Sequence, residues 1–530
     1  MRFNRRAFLA MSAAAPSLRI LPVQAAAHGP GIRQTITDFA KDAAKVKALK
    51  DGVATMKSRK PSDPTSWFYQ ASIHAVQREW VDEAAKTDPA VTALYEGGKV
   101  WNQCPHFTQP RSDFTGWHRA YTFHFENILR DASGDGDLML PYWDYLDPSQ
   151  RTLPQIYADP EMQGGQPTNP LYEFFRDDSL KRGGSLSAFS VGNGDLNSKT
   201  DYFGIGTDTQ FGGSPLGNRS GTGAMESRPH NQMHGALGGT VILPNGDRVG
   251  GYMGSVPTAA FDPIFWIHHT NCDRLWTVWD CKFGKDWGRL PNAGWFDEAP
   301  WLFHNPDGTD ARETRKFYIE HGVLPVTYDD VPPGCDPLSG RIPVLVAGAA
   351  ESMAQPEAMV MPVAEFTMAE EAGPGMLALD APNTTTLTLG APEASPMNAL
   401  ESLGVAEPEK VFLDLLDIQF AYTPSVRYDV YVNAESDADL VPDSEAHVGS
   451  LDFFALSAQV AMADMAGGDD GGLAASFDVT DRVTEDTSMS DLKVQIVAED
   501  QVVDVEGGER SSGDVQVGKM RLRRVSGGDL

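Results

Sequence analysis

The stretch DPIFWIHHTNCDRLW, residues 262–276, carries more about the architecture than any other part of this 530-residue chain. Its apolar residues recur at three- and four-residue steps, the period of a helix with a buried face. If that helix starts near Pro263, successive side chains point about 100° apart, so only one of His268 and His269 can face a given centre. Asp273 follows His269 by four residues and lies one turn along on the same face, placed to orient that region, while His268 points elsewhere.

Working outward, RPHNQMHGALGG (228–239) sets His230 and His234 four residues apart, on one helix face and close enough to share an ion. His230, His234 and His269 then make one three-imidazole site, with His268 outside the ligand set. A second group lies upstream: His74 in WFYQASIHAV (67–76), His106 in CPHF (104–107) and His118 at the head of WHRAYTFHFENILRD (117–131). His124 is six residues beyond His118, roughly 240° around the helix, and reads as structural. Neutral imidazoles with few interleaved carboxylates suit copper or zinc better than magnesium or calcium. Two such open sites in one bundle imply a reactive pair.

These segments lie in a region, from about Pro61 to Trp301, rich in aromatic residues and amphipathic patterns and broken by loops such as GGSPLGNRSGTG (212–223). The fold class expected is mainly α, with a central four-helix bundle holding the paired metal site, followed by a small antiparallel β domain. From Arg341 to about Pro408 the aromatics nearly vanish and Ala, Pro, Glu and Met take over, the composition of a linker. Beyond it, RYDVYVN (427–433) and LKVQIVAEDQVVDV (492–505) alternate with period two. The expected divisions are an export signal at 1–27, a helical domain at 28–340, a linker at 341–408 and a β-rich domain at 409–530.

The formal charge of −30 is uneven: residues 331–530 carry 35 acids against 10 bases, the first 330 only 38 against 33. An acidic surface argues against nucleic acid and anionic membranes as partners and for a small or neutral ligand. NRRAFLAMSAAA (4–15) and PVQAAA (22–27) give an arginine pair, a short apolar run and a small-residue cleavage site, as in a twin-arginine (Tat) signal. The expected location is periplasmic or extracellular. Four cysteines are too few for a disulfide framework, and whether Cys281 and Cys335 pair is left open.

WHRAYTFHFE (117–126) and DPIFWIHHTNCD (262–273), with HNQMH (230–234) between them, resemble the two copper signatures of tyrosinases and related polyphenol oxidases. The resemblance implies that His74, His106 and His118 bind one copper and that His230, His234 and His269 bind the other, a type-3 dicopper centre cycling between Cu(I) and Cu(II). It departs at one point: His118 follows His106 by twelve residues where the family usually has nine or ten, so FTQPRSD (107–113) would bulge as a loop. Cys104-x-His106 is similar to fungal members in which a thioether joins that cysteine to the histidine ring. Glu226 and Asn231 fall where monophenol-hydroxylating members hold a water as base. Val256 falls where plant enzymes often carry a bulky phenylalanine substrate gate.

KVFLDLLDIQFAYTPSVRYDVYVN (410–433) and HVGSLDFFA (447–455) resemble the domain that covers the site in latent plant-type enzymes. The implied activity is ortho-hydroxylation of monophenols and oxidation of o-diphenols to o-quinones by O2, latent until the cap is removed. A copper chaperone and an activating protease are implied partners. Phe261 and Phe265 are candidates for holding an aromatic substrate or for plain core. Met353, Met359, Met361, Met368 and Met376 read as linker residues rather than a copper-loading tract. The competing readings are a catechol oxidase without monophenolase activity, a haemocyanin-like oxygen carrier and a dinuclear zinc hydrolase, the last disfavoured by the lack of bridging carboxylates.

Overall fold

The structure, a computed structural model, describes residues 31–106, 111–192, 196–204, 210–213, 222–283, 294–319, 324–331, 364–389, 409–442, 444–466, 472–483, 491–506, 508 and 510–526. The expected signal at 1–27, Cys335, Met353, Met359, Met361 and the first four residues of the FTQPRSD loop lie outside these. Cys281 is disulfide-bonded, whereas Cys104 and Cys272 are buried and outside any disulfide.

The first part is helical. Helix α1 (Ala43–Ser58) starts where the Asp42 carboxylate accepts from the free N–H groups of Ala44 and Lys45. Helix α2 (Trp67–His74) is capped in the same way by Ser66, whose hydroxyl accepts from Tyr69 N. Helix α3 (Phe114–Ser133) runs twenty residues and stops at Gly134, whose φ of 71° suits a residue without a side chain. Helix α4 (Gln232–Gly238) follows an irregular segment, Glu226–Asn231, in which Arg228 leaves helical geometry. Helix α5 (Ile264–Phe283) is buried around its whole circumference from Ile264 to Thr277, as a central helix must be. Its start agrees with the reading of Pro263. Trp67, Trp117, Tyr121, Phe125, Phe265 and Trp266 fill the spaces between these helices.

Segments far apart in sequence meet on this core. Strand β1 (Gly31–Arg33) runs parallel to the later strand Val326–Tyr328 and delivers Arg33 into a buried charge cluster. Arg33 meets Glu126 at 3.0 Å and Asp273 at 3.1 Å, and donates to the Tyr328 hydroxyl at 2.8 Å. Arg119, next in sequence to His118, pairs with Asp273 and stacks on Trp276. Burial opposes ionisation of Asp273, but Arg119 and Arg33 hold its carboxyl below the ordinary range. One carboxylate thus ties α3 to α5 directly beneath the histidines.

The second part is a sandwich of two antiparallel four-stranded sheets. Taking β2 as Ser185–Leu186 and β3 as Val326–Tyr328, its strands are β4 (Ala364–Met376), β5 (Asn383–Leu387), β6 (Glu409–Gln419), β7 (Val426–Val432), β8 (His447–Ser450), β9 (Leu473–Asp478), β10 (Leu492–Asp500) and β12 (Gln516–Ser526). One sheet has the order β9-β6-β12-β4, the other β8-β7-β10-β5. Alternate residues from both, including Leu413, Leu415, Val430, Val432, Val494, Ile496, Met520 and Leu522, close one core. The 341–408 linker therefore needs correcting, because residues 364–387 are strands β4 and β5 of this domain. The sequence AEFTMAEEAGPGM has little side-chain preference for a strand; β4 is made by main-chain pairing to β12 at a sheet edge. Met368 and Met376 belong to that edge and not to a loose tract. No helix among the described residues is long and apolar enough to cross a membrane.

The two parts are joined by more than the linker. β11 (Val502–Val503) pairs antiparallel with β2. Thr423 packs so closely on Gly254 that a Cβ there would meet its hydroxyl oxygen at 2.7 Å. The ring of Phe189 lies between the guanidinium groups of Arg228 and Arg427, at 4.3 and 4.0 Å. Arg427 is held to Asp429 by two hydrogen bonds of 2.6 Å. Burial works against the charge on Asp429, but hydrogen bonds from Arg427, His447 and Ser450 outweigh it and hold the carboxyl at about 2. An unfolded aspartate titrates near 3.9, roughly, so this contribution is complete above that value and is lost as pH falls through about 2. Thermal scans between pH 5 and pH 2 are expected to show a stability loss concentrated in the acid half of that range. Asp429→Asn should flatten the dependence, whatever its absolute stability.

Candidate metal centre

The histidines ride on elements that converge at one buried point. His74 ends α2, His118 lies in the first turns of α3, His230 and His234 flank the start of α4, and His269 lies in α5. All five are buried, as is His106 on the loop after Cys104. The ring centroids of His230 and His234 are 4.5 Å apart, and His269 is 4.9 Å from the first and 5.7 Å from the second. His74 and His118 are 5.7 Å apart, and His118 stacks on His269 at 4.2 Å, joining the two groups. Ligand atoms of His230, His234, His268 and His269 all fall within 4.8 Å of one another, as do those of His74, Cys104 and His106.

The hydrogen bonds show which ring nitrogens are left for a metal. Nδ1 of His74 donates to Val256 O at 3.1 Å, Nδ1 of His118 to Phe114 O at 2.8 Å and Nδ1 of His234 to Met253 O at 2.8 Å. This places the proton on Nδ1 and leaves Nε2 as a lone-pair donor, the usual state of a ligating imidazole. Nε2 of His74, His230 and His234 and both nitrogens of His269 are buried without a hydrogen-bond partner. Such orphaned acceptors are costly unless something binds them. Burial lowers the pKa of His74 and His268 to about 3, and that of His118, His230, His234 and His269 well below the ordinary value. All are neutral at pH 7. The donor set fits a soft or borderline transition metal.

His106 is placed differently. Its Nδ1 lies 3.1 Å from Cys104 Sγ, and its Nε2 lies 3.2 Å from Glu226 Oε1 and 3.4 Å from Asn231 Oδ1. Asn231 Oδ1 also accepts from His230 Nδ1 at 2.7 Å, so Glu226 and Asn231 sit between the two histidine groups. Val256 is fully buried at the start of the short helix Val256–Ala259, and its carbonyl orients His74. Phe265 packs against His269 at 4.2 Å and His74 at 5.0 Å. Phe261 packs edge to face with Phe68 and Trp80 instead, a core position.

His268 does not point away, as the helical geometry alone suggested; it leans over the second group, 5.2 Å from His230 and 4.9 Å from His234. Its nitrogens are engaged elsewhere, Nδ1 with the Tyr145 hydroxyl at 3.2 Å and Nε2 with Cys272 Sγ at 3.9 Å. The 100° step separates it from His269, but both rings of α5 lie against His230 and His234. His124 does face away, onto Phe303 and the Tyr318 hydroxyl.

Sequence reasoning missed the residues that close the centre. Phe454 stands near the start of helix α6 (Phe453–Ala466) of the sandwich domain and is fully buried. Its ring lies over His234 at 3.8 Å with the planes 13° apart, and within 5.1 Å of His106 and 5.7 Å of His230. Asp452 accepts from Asn231 Nδ2, and Ser457 Oγ accepts from Val256 N at 3.0 Å. Nothing in SLDFFALSA singles out these three, because a phenylalanine before an apolar helix reads as ordinary core. Phe114, 4.6 Å from His118 and 4.5 Å from His230, was missed for the same reason.

Residues 64–282 match the family described as the common central domain of tyrosinase. Over this part the chain is similar to the tyrosinase family. Residues 366–524, outside the tyrosinase domain, match a domain of unknown function, DUF7868, whose start agrees with the strand boundary corrected above. A tyrosinase from Hahella sp. (strain CCB-MM4) is 33% identical over 276 residues, 48% of this chain and 54% of that protein. A chloroplastic polyphenol oxidase of Malus domestica is 26% identical over 419 residues, 75% of this chain and 64% of that one. The chain thus spans between about half and two thirds of the length of these curated relatives. The structure of a latent apple tyrosinase aligns over 94% of this chain and 98% of its own, with a TM-score of 0.50 and 21% identity. That alignment extends the shared fold from the tyrosinase domain through the β sandwich.

Proposed function

We propose that the protein is a copper-dependent phenol oxidase, hydroxylating monophenols and oxidising o-diphenols to o-quinones, held latent by its C-terminal domain. The observation that carries this reading is the set of buried neutral imidazoles with Nδ1 tied to backbone carbonyls and Nε2 unpartnered, roofed by Phe454. His74, His106 and His118 would hold one copper, and His230, His234 and His269 the other, within a four-helix bundle formed by α2, α3, α4 and α5. A copper pair supplies two-electron chemistry with O2 that no side chain here provides.

The chain's own residues set the selectivity. Phe265 gives a flat apolar wall beside the histidines, and Val256, smaller than the phenylalanine gate of many plant enzymes, leaves room for an aromatic ring. Glu226 and Asn231 would hold a water that takes the phenol proton, a step that monophenols need before hydroxylation. Phe454 occupies the position a substrate ring would take, stacked on His234, which is the support for latency. The names of the apple structure and of the Malus domestica relative support the same class of reaction. We further propose export by the Tat route, copper loading by a chaperone and activation by a protease acting in the linker.

The test is metal analysis and turnover together. Two coppers per chain, low activity in the intact protein and oxidation of both catechol and a monophenol after cap displacement are expected. Catechol oxidation with no monophenol turnover would remove the hydroxylase half, and reversible oxygen binding without any turnover would favour the carrier reading.

The contact between Cys104 Sγ and His106 also supports a thioether, in which an S–C bond replaces the thiol S–H and a ring C–H. Two protons and two electrons pass to O2. Intact mass after copper loading is expected to fall by two hydrogen atoms, and Cys104→Ser should show no such change.

A further inference from the structure

The sandwich domain touches the centre through a second residue besides its aromatic plug. Asp452 divides its carboxylate between two tasks. Oδ1 accepts from Ala455 N at 2.9 Å and caps the first turn of α6, while Oδ2 accepts from Asn231 Nδ2. Leu456 N closes the same turn on Asp452 O. Asn231 is 2% exposed, and its Oδ1 lies 2.7 Å from His230 Nδ1 and 3.4 Å from His106 Nε2. Glu226 Oε1 lies 3.2 Å from that same Nε2. One buried amide therefore connects the cap, both histidine groups and the surroundings of Glu226.

We infer that Asp452 is a selectivity brake separate from Phe454: it holds the Asn231 amide so that the capped protein is poorer at accepting a monophenol proton than at admitting a substrate. A charge-assisted hydrogen bond fixes the orientation of the amide more firmly than a neutral one. A carboxylate at that amide also opposes a second negative charge on an incoming phenol. Phe454 acts on every ring that tries to enter; Asp452 acts on the step only monophenols require. The inference rests on the phenol-oxidase reading, with Glu226 and Asn231 as the base pair.

Three full-length, copper-loaded variants test it: Phe454→Ala, and the same change combined with Asp452→Ser or with Asp452→Asn. Serine still caps a helix but is too short to reach Asn231, whereas asparagine can keep one neutral acceptor oxygen for Asn231 at the expense of the cap to Ala455 N. Phe454→Ala alone is expected to raise catechol oxidation while monophenol hydroxylation lags. Adding Asp452→Ser should raise the monophenol-to-catechol rate ratio about tenfold, the worth of one hydrogen bond to a charged group, with catechol kcat unchanged. Adding Asp452→Asn, which removes the charge but keeps an acceptor for Asn231, should raise the ratio by clearly less than serine does. A readout that needs no turnover is 4-nitrophenol binding followed by the absorbance of its anion, which should tighten most in the serine double variant and less in the asparagine one. A ratio and an affinity unmoved by serine, or moved equally by asparagine, overturn the brake and leave the phenol-oxidase reading standing. No catechol oxidation in any variant carrying two coppers overturns that reading, and the inference with it.

Discussion

His230→Ala is expected to abolish catechol oxidation and to lower bound copper from two atoms per chain to one or fewer. His230, like His118, has neighbours in both groups: 5.6 Å from His106, 5.9 Å from His118, 4.5 Å from His234 and 4.9 Å from His269. Its Nε2 is buried without a partner, so alanine removes a donor that no neighbouring side chain replaces. Loss of an outer hydrogen-bond partner of a ligand costs about 10–100-fold in metal affinity or activity; loss of the ligand itself should exceed that. Elemental analysis of the purified variant checks the first effect and quinone formation by cap-displaced protein the second. The discriminating comparison is His268→Gln. Both nitrogens of His268 already have partners in Tyr145 and Cys272, so that variant should keep two coppers. If His268→Gln loses a copper and His269→Gln does not, the ligand assignment within α5 is reversed.

The second large effect is on stability. Asp273→Asn should lower the melting temperature of the helical domain by about 10 °C, from a cost of about 3–5 kcal/mol at roughly 3 °C per kcal/mol. The residue is buried among Arg33, Arg119 and Tyr328, and only Glu126 would remain to balance two buried guanidinium groups. Breaking one partner of a buried ion cluster leaves an uncompensated charge, which costs far more than the intact cluster contributes. The cluster joins Arg119, adjacent to His118, to Asp273, one turn after His269, so copper should be held less firmly as well. Calorimetry and copper retention during dialysis check the two expectations. Asp82→Asn, which breaks the exposed pair with Arg78, is the control and should leave the melting temperature unchanged.

Much of the centre was legible because it depends on local spacing. The four-residue step from His230 to His234 and the placement of His118 near the start of a helix need only helix geometry, and the structure brings those rings together. The position of Asp273 one turn beyond His269 was legible too, though not the arginines that meet it. Arg33 is 240 residues away in sequence from Asp273, and no periodicity links them. The division at 341–408 failed for a related reason. Edge strand β4 is specified by the hydrogen-bonding edge of β12 and not by its own side chains.

By itself, then, the amino-acid order determined the helical segments, the histidine spacing, the change of period near residue 410 and the kinship with copper oxidases, because each is written in residues close together in sequence or in matched motifs. Tertiary packing decided the rest: His268 lies against His230 and His234, Asn231 is held because Asp452 arrives from another domain, and Phe454 of that domain lies over His234. The last two contacts join residues more than two hundred positions apart. Their partners are fixed by how finished domains dock, a property no window of sequence contains.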